Sequence, residues 1–155
     1  MAKVDELDLR LIQHLQKDGR RSFREIAEEL NVAEGTVYNR VTKLRDQGII
    51  RNFIVDVDYA KLGYDLTVLI GVIGRGGHLA EIEKKIATEK NVSAVYDVTG
   101  EYDAVVIAKL PDRDALNRLV KKINGLENVE RTYTMVVLNV MKEQHGIEMQ
   151  EQKID

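Results

Sequence analysis

The sequence predicts an α+β protein with a helix-turn-helix in its first third and a four-stranded antiparallel sheet carrying two helices in the remainder. Before position 48, apolar residues recur at helical spacing in three short runs. After position 65, strand and helix patterns follow in the order β-α-β-β-α-β, which is the split βαβ arrangement. The length of 155 residues and the apolar share of 44% are sufficient for two small cores.

Composition excludes several classes of protein. The chain has no cysteine, so disulfides, thiolate metal sites and cysteine nucleophiles are excluded. No apolar run is long enough to cross a bilayer, and the N-terminus turns acidic at Asp5, unlike a signal peptide. We therefore expect a cytoplasmic protein with no membrane partner. The net charge of −3 argues against indiscriminate nucleic-acid binding, although Gly19 to Arg51 holds seven basic and five acidic residues.

Local signals set the limits of three N-terminal helices. Ser22 and Glu25 form a capping box, and Gly48 supplies a left-handed C-terminal stop. Residues 31–33 read as a tight turn between the second and third helices. The predicted helices run from Asp5 to Gly19, from Ser22 to Leu30 and from Glu34 to Gln47.

The pattern changes period after Ile49. Residues 51–64 are predicted to form a strand and a linker, because a period of two sets Phe53, Val55 and Val57 on one side and ends in a turn near Leu62-Gly63-Tyr64. The later elements are predicted at Leu66–Ile73, His78–Glu89, Val92–Val98, Asp103–Lys109, Asp112–Asn124 and Val129–Val140. The expected domains are residues 1–50 (helix-turn-helix), 51–64 (strand and linker), 65–143 (sheet domain) and 144–155 (polar tail).

A first constellation of residues predicts DNA binding. Ala27, Asn31 and Val37 have the sizes and spacing that a helix-turn-helix needs at its helix crossing, its turn and its buried anchor. Donor-rich side chains on the other side of the third helix are typical of base and phosphate contacts. The candidates on that helix are Thr36, Asn39, Arg40 and Lys43. Backbone contacts are expected from Arg20, Arg21, Ser22, Arg24 and Arg51. The same pattern also fits an ordinary three-helix bundle with solvated polar faces.

A second constellation suggests a small-molecule site. Thr132 and Thr134 are two residues apart on a strand and point the same way, and Gly100 and Asp103 belong to the turn Gly100-Glu101-Tyr102-Asp103. Together they offer acceptors for an ammonium group and donors for a carboxylate. The alternative is structural: a glycine for a hairpin, an aspartate at a strand end and threonines for β-propensity.

Other features carry no chemistry. Gly74-Arg75-Gly76-Gly77 lacks both a Walker lysine and dinucleotide spacing, so it is interpreted as a connection. The three histidines are scattered without metal-ligand spacing, and no serine–histidine–acid set is present. We expect no catalytic residue, no metal and no cofactor.

The order of motifs resembles the Lrp/AsnC family of leucine-responsive, or feast/famine, regulators. The resemblance spans about Val4 to Lys142. The N-terminal motifs that carry it are Asp5-Glu6-Leu7-Asp8, Leu15-Gln16-Lys17-Asp18-Gly19-Arg20, Glu25-Ile26-Ala27, Thr36-Val37, Arg40-Val41 and Gly48-Ile49-Ile50. The C-terminal motifs are Val98-Thr99-Gly100-Glu101-Tyr102-Asp103 and the strand from Thr132 to Leu138.

This resemblance implies a winged-type helix-turn-helix joined to a ferredoxin-like, RAM-type domain that dimerises through its sheet. Family dimers commonly assemble into octamers, and amino acids or related molecules bind between dimers. The implied effector residues are Gly100, Tyr102, Asp103, Thr132 and Thr134. One departure is Ala33, where the family often has a serine that caps the recognition helix.

The resulting hypothesis is a homo-oligomeric regulator of double-stranded DNA whose paired third helices enter successive major grooves. An amino-acid effector would shift its assembly, and thereby its DNA binding. Two alternatives remain at this point: an architectural DNA-binding protein of low specificity, and an enzyme similar to sirohaem decarboxylase, whose subunits look like this family. We expect a regulator and not an enzyme.

Overall fold

A computed structural model describes residues 4–144, 146, 147 and 149. Internal contacts divide the chain into two compact units. Among the described residues, the N-terminal unit comprises residues 4–56 with those after 141, and the C-terminal unit comprises Val57–Met141. Most of the predicted polar tail, residues 144–155, lies outside the described residues.

The N-terminal unit contains the three predicted helices. They are α1 (Glu6–Lys17), α2 (Phe23–Leu30) and α3 (Glu34–Asp46). The predicted capping box of α2 is confirmed, because the Ser22 hydroxyl accepts from the Glu25 amide while the Glu25 carboxylate accepts from the Ser22 amide. Asp5 and Asp8 form a second reciprocal box at the start of α1.

The packing of α2 and α3 is that of a helix-turn-helix. Asn31 ends α2 with a left-handed φ of 55°, which turns the chain into α3. A buried apolar cluster holds the three helices together. Its fully or nearly buried members are Leu11, Ile26, Ala27, Leu30, Val37, Val41 and Leu44.

The prediction of a strand within residues 51–64 is wrong, because the single chain forms no strand there. Residues 51–58 have no regular secondary structure, and Ala60–Leu62 forms a short 3₁₀ turn. A strand requires a hydrogen-bonding neighbour. In the part of the chain that the structure describes, the sheet contains four strands, none of them from this segment. Its apolar side chains Phe53, Ile54 and Val55 are exposed.

The C-terminal unit confirms the predicted β-α-β-β-α-β order. Its elements are β1 (Leu66–Gly74), α4 (Leu79–Ile86), β2 (Val92–Asp97), β3 (Ala104–Leu110), α5 (Arg113–Asn124) and β4 (Val129–Val136). The strands lie in the order β2-β3-β1-β4, and all neighbours are antiparallel. The strand predicted to reach Val140 ends at Val136, because β1 starts at Leu66 and its Thr67 carbonyl accepts the last hydrogen bond, from the Val137 amide.

The two faces of this sheet differ in burial. On the helix-covered face, Val68, Ile70, Val72 and Val106 are fully buried with apolar residues of α4 and α5. On the other face, here called the open face, side chains are half-buried or exposed. The open face presents Leu69, Gly71, Ile73, Val105, Ile107, Tyr133 and Met135.

Candidate functional site

The exposed side of α3 is polar along its first three turns. Val37, Val41 and Leu44 are buried, so the helical repeat directs Asn39, Thr42 and Lys43 away from the core, and all three are exposed. Gly35 lies on the same side, and a Cβ there would contact nothing within 4 Å. Within the residues that the structure describes, Asn39 and Lys43 therefore present their side chains to solvent.

Arg40 does not belong to this exposed surface. Its Nη1 donates to Asp5 Oδ2 at 2.6 Å and to Asp8 Oδ1 at 2.7 Å, and only 27% of its side chain is exposed. Asp8 is 1% exposed. The guanidinium lowers the pKa of Asp5 below its usual value. Arg40 therefore joins α3 to the first turn of α1, which is a structural role that the sequence pattern did not predict.

The predicted backbone-contact residues also fall into two groups. Arg20 is 95% exposed, Arg24 is exposed although it pairs with Glu28 at 3.1 Å, and Arg51 is exposed. Arg21, in contrast, bonds to Glu29 and to Nδ1 of His14, and it lowers the pKa of Glu29. Ser22 is occupied by its capping box. The first group can reach a ligand freely, whereas the second maintains the geometry of the unit.

Tyr38, an aromatic side chain on α3, was not among the predicted site residues. Tyr38 is 59% exposed, and its ring packs edge-on against Phe23 at a centroid distance of 6.3 Å. Its position one residue after the buried Val37 was the signal that could have placed it at the flank of the exposed surface.

The predicted effector residues do not meet in one chain. Thr132 pairs with Val72 and Thr134 with Ile70, so both threonines lie on the helix-covered face. There the Thr132 hydroxyl donates to Asn124 Oδ1 at 3.1 Å. Thr134 lines an open, mostly apolar cleft of about 460 Å³ between α5 and β4. The cleft is bordered by Leu66, Arg113, Leu116, Asn117, Val120 and Val136.

Tyr102 lies on the opposite, open face. A Cβ at Gly71 would come within 2.7 Å of the Tyr102 ring, so that ring covers Gly71 directly. The ring also contacts Tyr133 at a centroid distance of 5.4 Å. Asp103 Oδ2 accepts from the Gly74 amide at 2.9 Å, and Gly100 adopts a φ of 129° that suits only glycine. Hence the turn and the two threonines flank β1 from different sides of the sheet.

Among the residues that the structure describes, no group of three or more histidine or acidic side chains could hold a metal ion. In the same residues, no helix is both long and apolar enough to cross a membrane.

Comparison with protein families accounts for both units. Residues 4–45 match the AsnC-type helix-turn-helix domain, and residues 67–147 match the Lrp/AsnC ligand-binding domain. An HTH-type transcriptional regulator of Pyrococcus horikoshii is 49% identical over 146 residues, which cover 94% of this chain and 99% of the relative.

Solved structures share the fold over nearly the full length. AsnC of Escherichia coli superposes with a TM-score of 0.85 at 28% identity, covering 92% of this chain and 97% of that protein. A regulator of Neisseria meningitidis, solved as a complex with L-Met, superposes with a TM-score of 0.86 at 22% identity. That alignment covers 94% of this chain and 97% of the other.

Proposed function

The chain belongs to the Lrp/AsnC family of transcriptional regulators, and from that premise we propose that it recognises specific duplex sequences and responds to an amino acid. As a helix-turn-helix regulator it binds DNA, and it carries the family's ligand-binding domain. Its relatives over almost the whole length are regulators and not enzymes, which confirms the expected absence of catalysis and removes the decarboxylase alternative.

The observation that carries the DNA proposal is the exposed polar side of α3 over a fully apolar inner side. A major groove about 12 Å wide admits one helix, and amide and ammonium donors read base edges there. Thr36, Asn39 and Lys43 make the base contacts, and Arg20, Arg24 and Arg51 contact phosphates. Arg21, Ser22 and Arg40 support this surface through contacts within the N-terminal unit.

The test uses a duplex that the wild-type protein selects from a random pool. Asn39→Ala combined with Lys43→Ala removes two contacts, each worth about 1–3 kcal/mol, so affinity falls at least about tenfold. Lys90→Ala, an exposed lysine of the C-terminal unit, is the matched control. Unchanged affinity of the double variant contradicts the assignment of α3 as the reading helix.

The same duplex separates a regulator from an architectural protein. A specific regulator prefers its selected duplex over unrelated DNA by a factor of about 10³ or more at physiological salt. A ratio near one supports the architectural alternative instead. Both measurements need stated salt concentrations, because phosphate contacts make affinity fall steeply with salt.

We also propose that the sheet domain, residues 65–143, assembles the protein into dimers and then octamers. The half-buried open face is the kind of apolar surface that a second copy covers. The effector site, formed by Gly100, Tyr102, Asp103, Thr132 and Thr134, then draws its two groups of residues from different copies. The Neisseria meningitidis complex supports an amino acid as the ligand, because the same fold holds L-Met there.

Asp103→Asn is the sharpest test of the effector site. Asparagine can still accept from the Gly74 amide, so the substitution removes the charge that an ammonium group needs and keeps the turn. Calorimetry over the twenty amino acids should find one that binds the wild type and binds Asp103→Asn at least tenfold more weakly. Asp97→Asn, an exposed control on β2, should bind normally. Binding that ignores the Asp103 substitution contradicts the site.

A further inference from the structure

Tyr38 is a large aromatic side chain that the apolar cluster of the N-terminal unit does not bury. It is 59% exposed, although a tyrosine on a helix of this size could be buried against the apolar cluster. The one ring that it contacts in the described residues is Phe23, which meets it edge-on at an interplanar angle of 65°. The contact restrains the ring, while more than half of the side chain stays exposed.

The position of Tyr38 relates it to two segments that face DNA under the proposed function. On α3 it lies about a quarter-turn from the middle of the exposed side. Phe23 is the first residue of α2 and is followed directly by Arg24. Tyr38 thus stands at the border between the reading helix and the start of α2.

A helix seated in the major groove meets base edges along its middle and sugar-phosphate backbone at its flanks. A flank residue that is to contact phosphate must donate a hydrogen bond, and the phenol hydroxyl is a donor. Phe23 restricts the ring, so little rotational freedom is lost when the contact forms.

We propose that the Tyr38 hydroxyl donates a hydrogen bond to a DNA phosphate and so contributes to affinity without contributing to sequence preference. The inference rests on the proposed use of α3 as the reading helix. It assigns a DNA-contact role to a neutral residue, which distinguishes it physically from the lysine and arginine contacts.

Tyr38→Phe tests this directly, because it removes only the hydroxyl and retains the ring contact with Phe23. A hydrogen bond to a charged group predicts a loss of affinity of about tenfold, equal for the selected duplex and for an unrelated duplex of the same length. Because the hydroxyl is neutral, the dependence of log affinity on log salt keeps its slope, whereas Arg20→Gln, at a proposed phosphate contact, lowers that slope by about one.

Tyr64→Phe, at another partly exposed tyrosine in the C-terminal unit, is the matched control and should bind as the wild type does. Single neutral methylphosphonates in the selected duplex then identify the phosphate. At that position the wild type loses affinity, while Tyr38→Phe loses no more than it has already lost.

Three results overturn the inference: wild-type affinity of Tyr38→Phe, a loss confined to one base position, or a changed oligomeric state that accounts for the loss. The double substitution of Asn39 and Lys43 keeps the two proposals apart. If it abolishes selectivity while Tyr38→Phe has no effect, only the role of Tyr38 fails. If it has no effect, the reading helix itself is wrong.

Discussion

The two units hold their candidate sites in different ways. In the N-terminal unit, the candidate DNA surface lies on one side of α3, and contacts inside that unit fix it. In the C-terminal unit, the candidate effector residues are divided between the two faces of the sheet, with Tyr102 on one and Thr134 on the other. Under the proposed function, the DNA surface is therefore complete in a single chain, whereas the effector site requires more than one copy.

The cause is the geometry of the two kinds of element. A helix brings residues three and four positions apart onto one side, so a single segment can present a whole surface. A strand alternates its side chains between faces, so residues from one sheet collect in a pocket only when another surface covers that face. The apolar side chains of the open face are available for such a cover.

The comparison between the two units predicts its largest effect at Arg40. If the N-terminal unit is fixed internally, Arg40→Met leaves the buried carboxylate of Asp8 without its guanidinium and destabilises the unit by about 3 kcal/mol. Hydrogen exchange at the buried amides of α3 measures this loss as faster exchange. DNA affinity falls as a consequence of the loosened helix.

Arg45→Met is the control, because Arg45 is exposed on the same helix. It should leave exchange at the α3 amides unchanged. Normal exchange in Arg40→Met together with lost DNA binding would instead mean that Arg40 leaves Asp8 and contacts the duplex. The original sequence prediction for Arg40 would then be correct.

Arg40 shows how far the sequence alone could reach. Helical periodicity placed Val37, Val41 and Leu44 in the core and Asn39 and Lys43 outside, because those positions depend only on residues nearby in the chain. The partners of Arg40, at Asp5 and Asp8, are more than thirty positions away. The sequence pattern of hydrogen-bond donors could not reveal that Arg40 is already paired with these two carboxylates.

The C-terminal unit shows the same limit. The strand and helix order followed from local periodicity and is confirmed. Which face Thr132 occupies depends on its pairing with Val72, sixty positions earlier, and the sequence does not state that register. The prediction of a strand within residues 51–64 is wrong for a related reason. The side-chain pattern suits a strand, but strand pairing depends on a neighbour.

Gly71→Ala tests whether the Tyr102 ring packs directly over β1 on the open face. The new methyl group would lie 2.7 Å from the Tyr102 ring, which must move and so disturb its contact with Tyr133, at a cost of about 1–2 kcal/mol in the C-terminal unit. Hydrogen exchange at the β1 amides reports the loss, and sedimentation reports whether the displaced ring also weakens assembly.

Gly76→Ala is the matched control, because a Cβ there meets nothing within 4 Å. In a Tyr102→Ala background, Gly71→Ala should cost almost nothing further, since the clash has been removed. A full additional cost in that background would show that the backbone of β1, and not the ring, needs glycine.

A smaller effect is expected at the start of α3. Ala33 occupies the N-cap position and makes no side-chain hydrogen bond to the first turn. Ala33→Ser should supply that bond and stabilise the helix by about 1 kcal/mol, measured as slower exchange of its first buried amides. Ala80→Ser, inside α4, offers no cap and should give no gain. A gain at position 80 as large as that at position 33 would contradict the capping explanation.

The smallest expected effect is a pH dependence of stability, which reports the charge of Asp5 in its contact with Arg40. Asp5→Asn keeps an N-cap of equal quality, so the difference from the wild type reports the carboxylate charge beside Arg40. Because Arg40 lowers the pKa of Asp5 in the folded protein, the ionised form adds stability above the usual value of 3.8, and this addition is lost as pH falls through the lowered pKa. At about half exposure the contribution is about 0.5 kcal/mol. The α3 amides should therefore exchange slightly faster in Asp5→Asn than in the wild type at pH 6. The two exchange rates should become equal toward pH 3. A difference that persists or grows on acidification would show that the charge of Asp5 does not hold α3, leaving Asp8 as the sole anchor of Arg40.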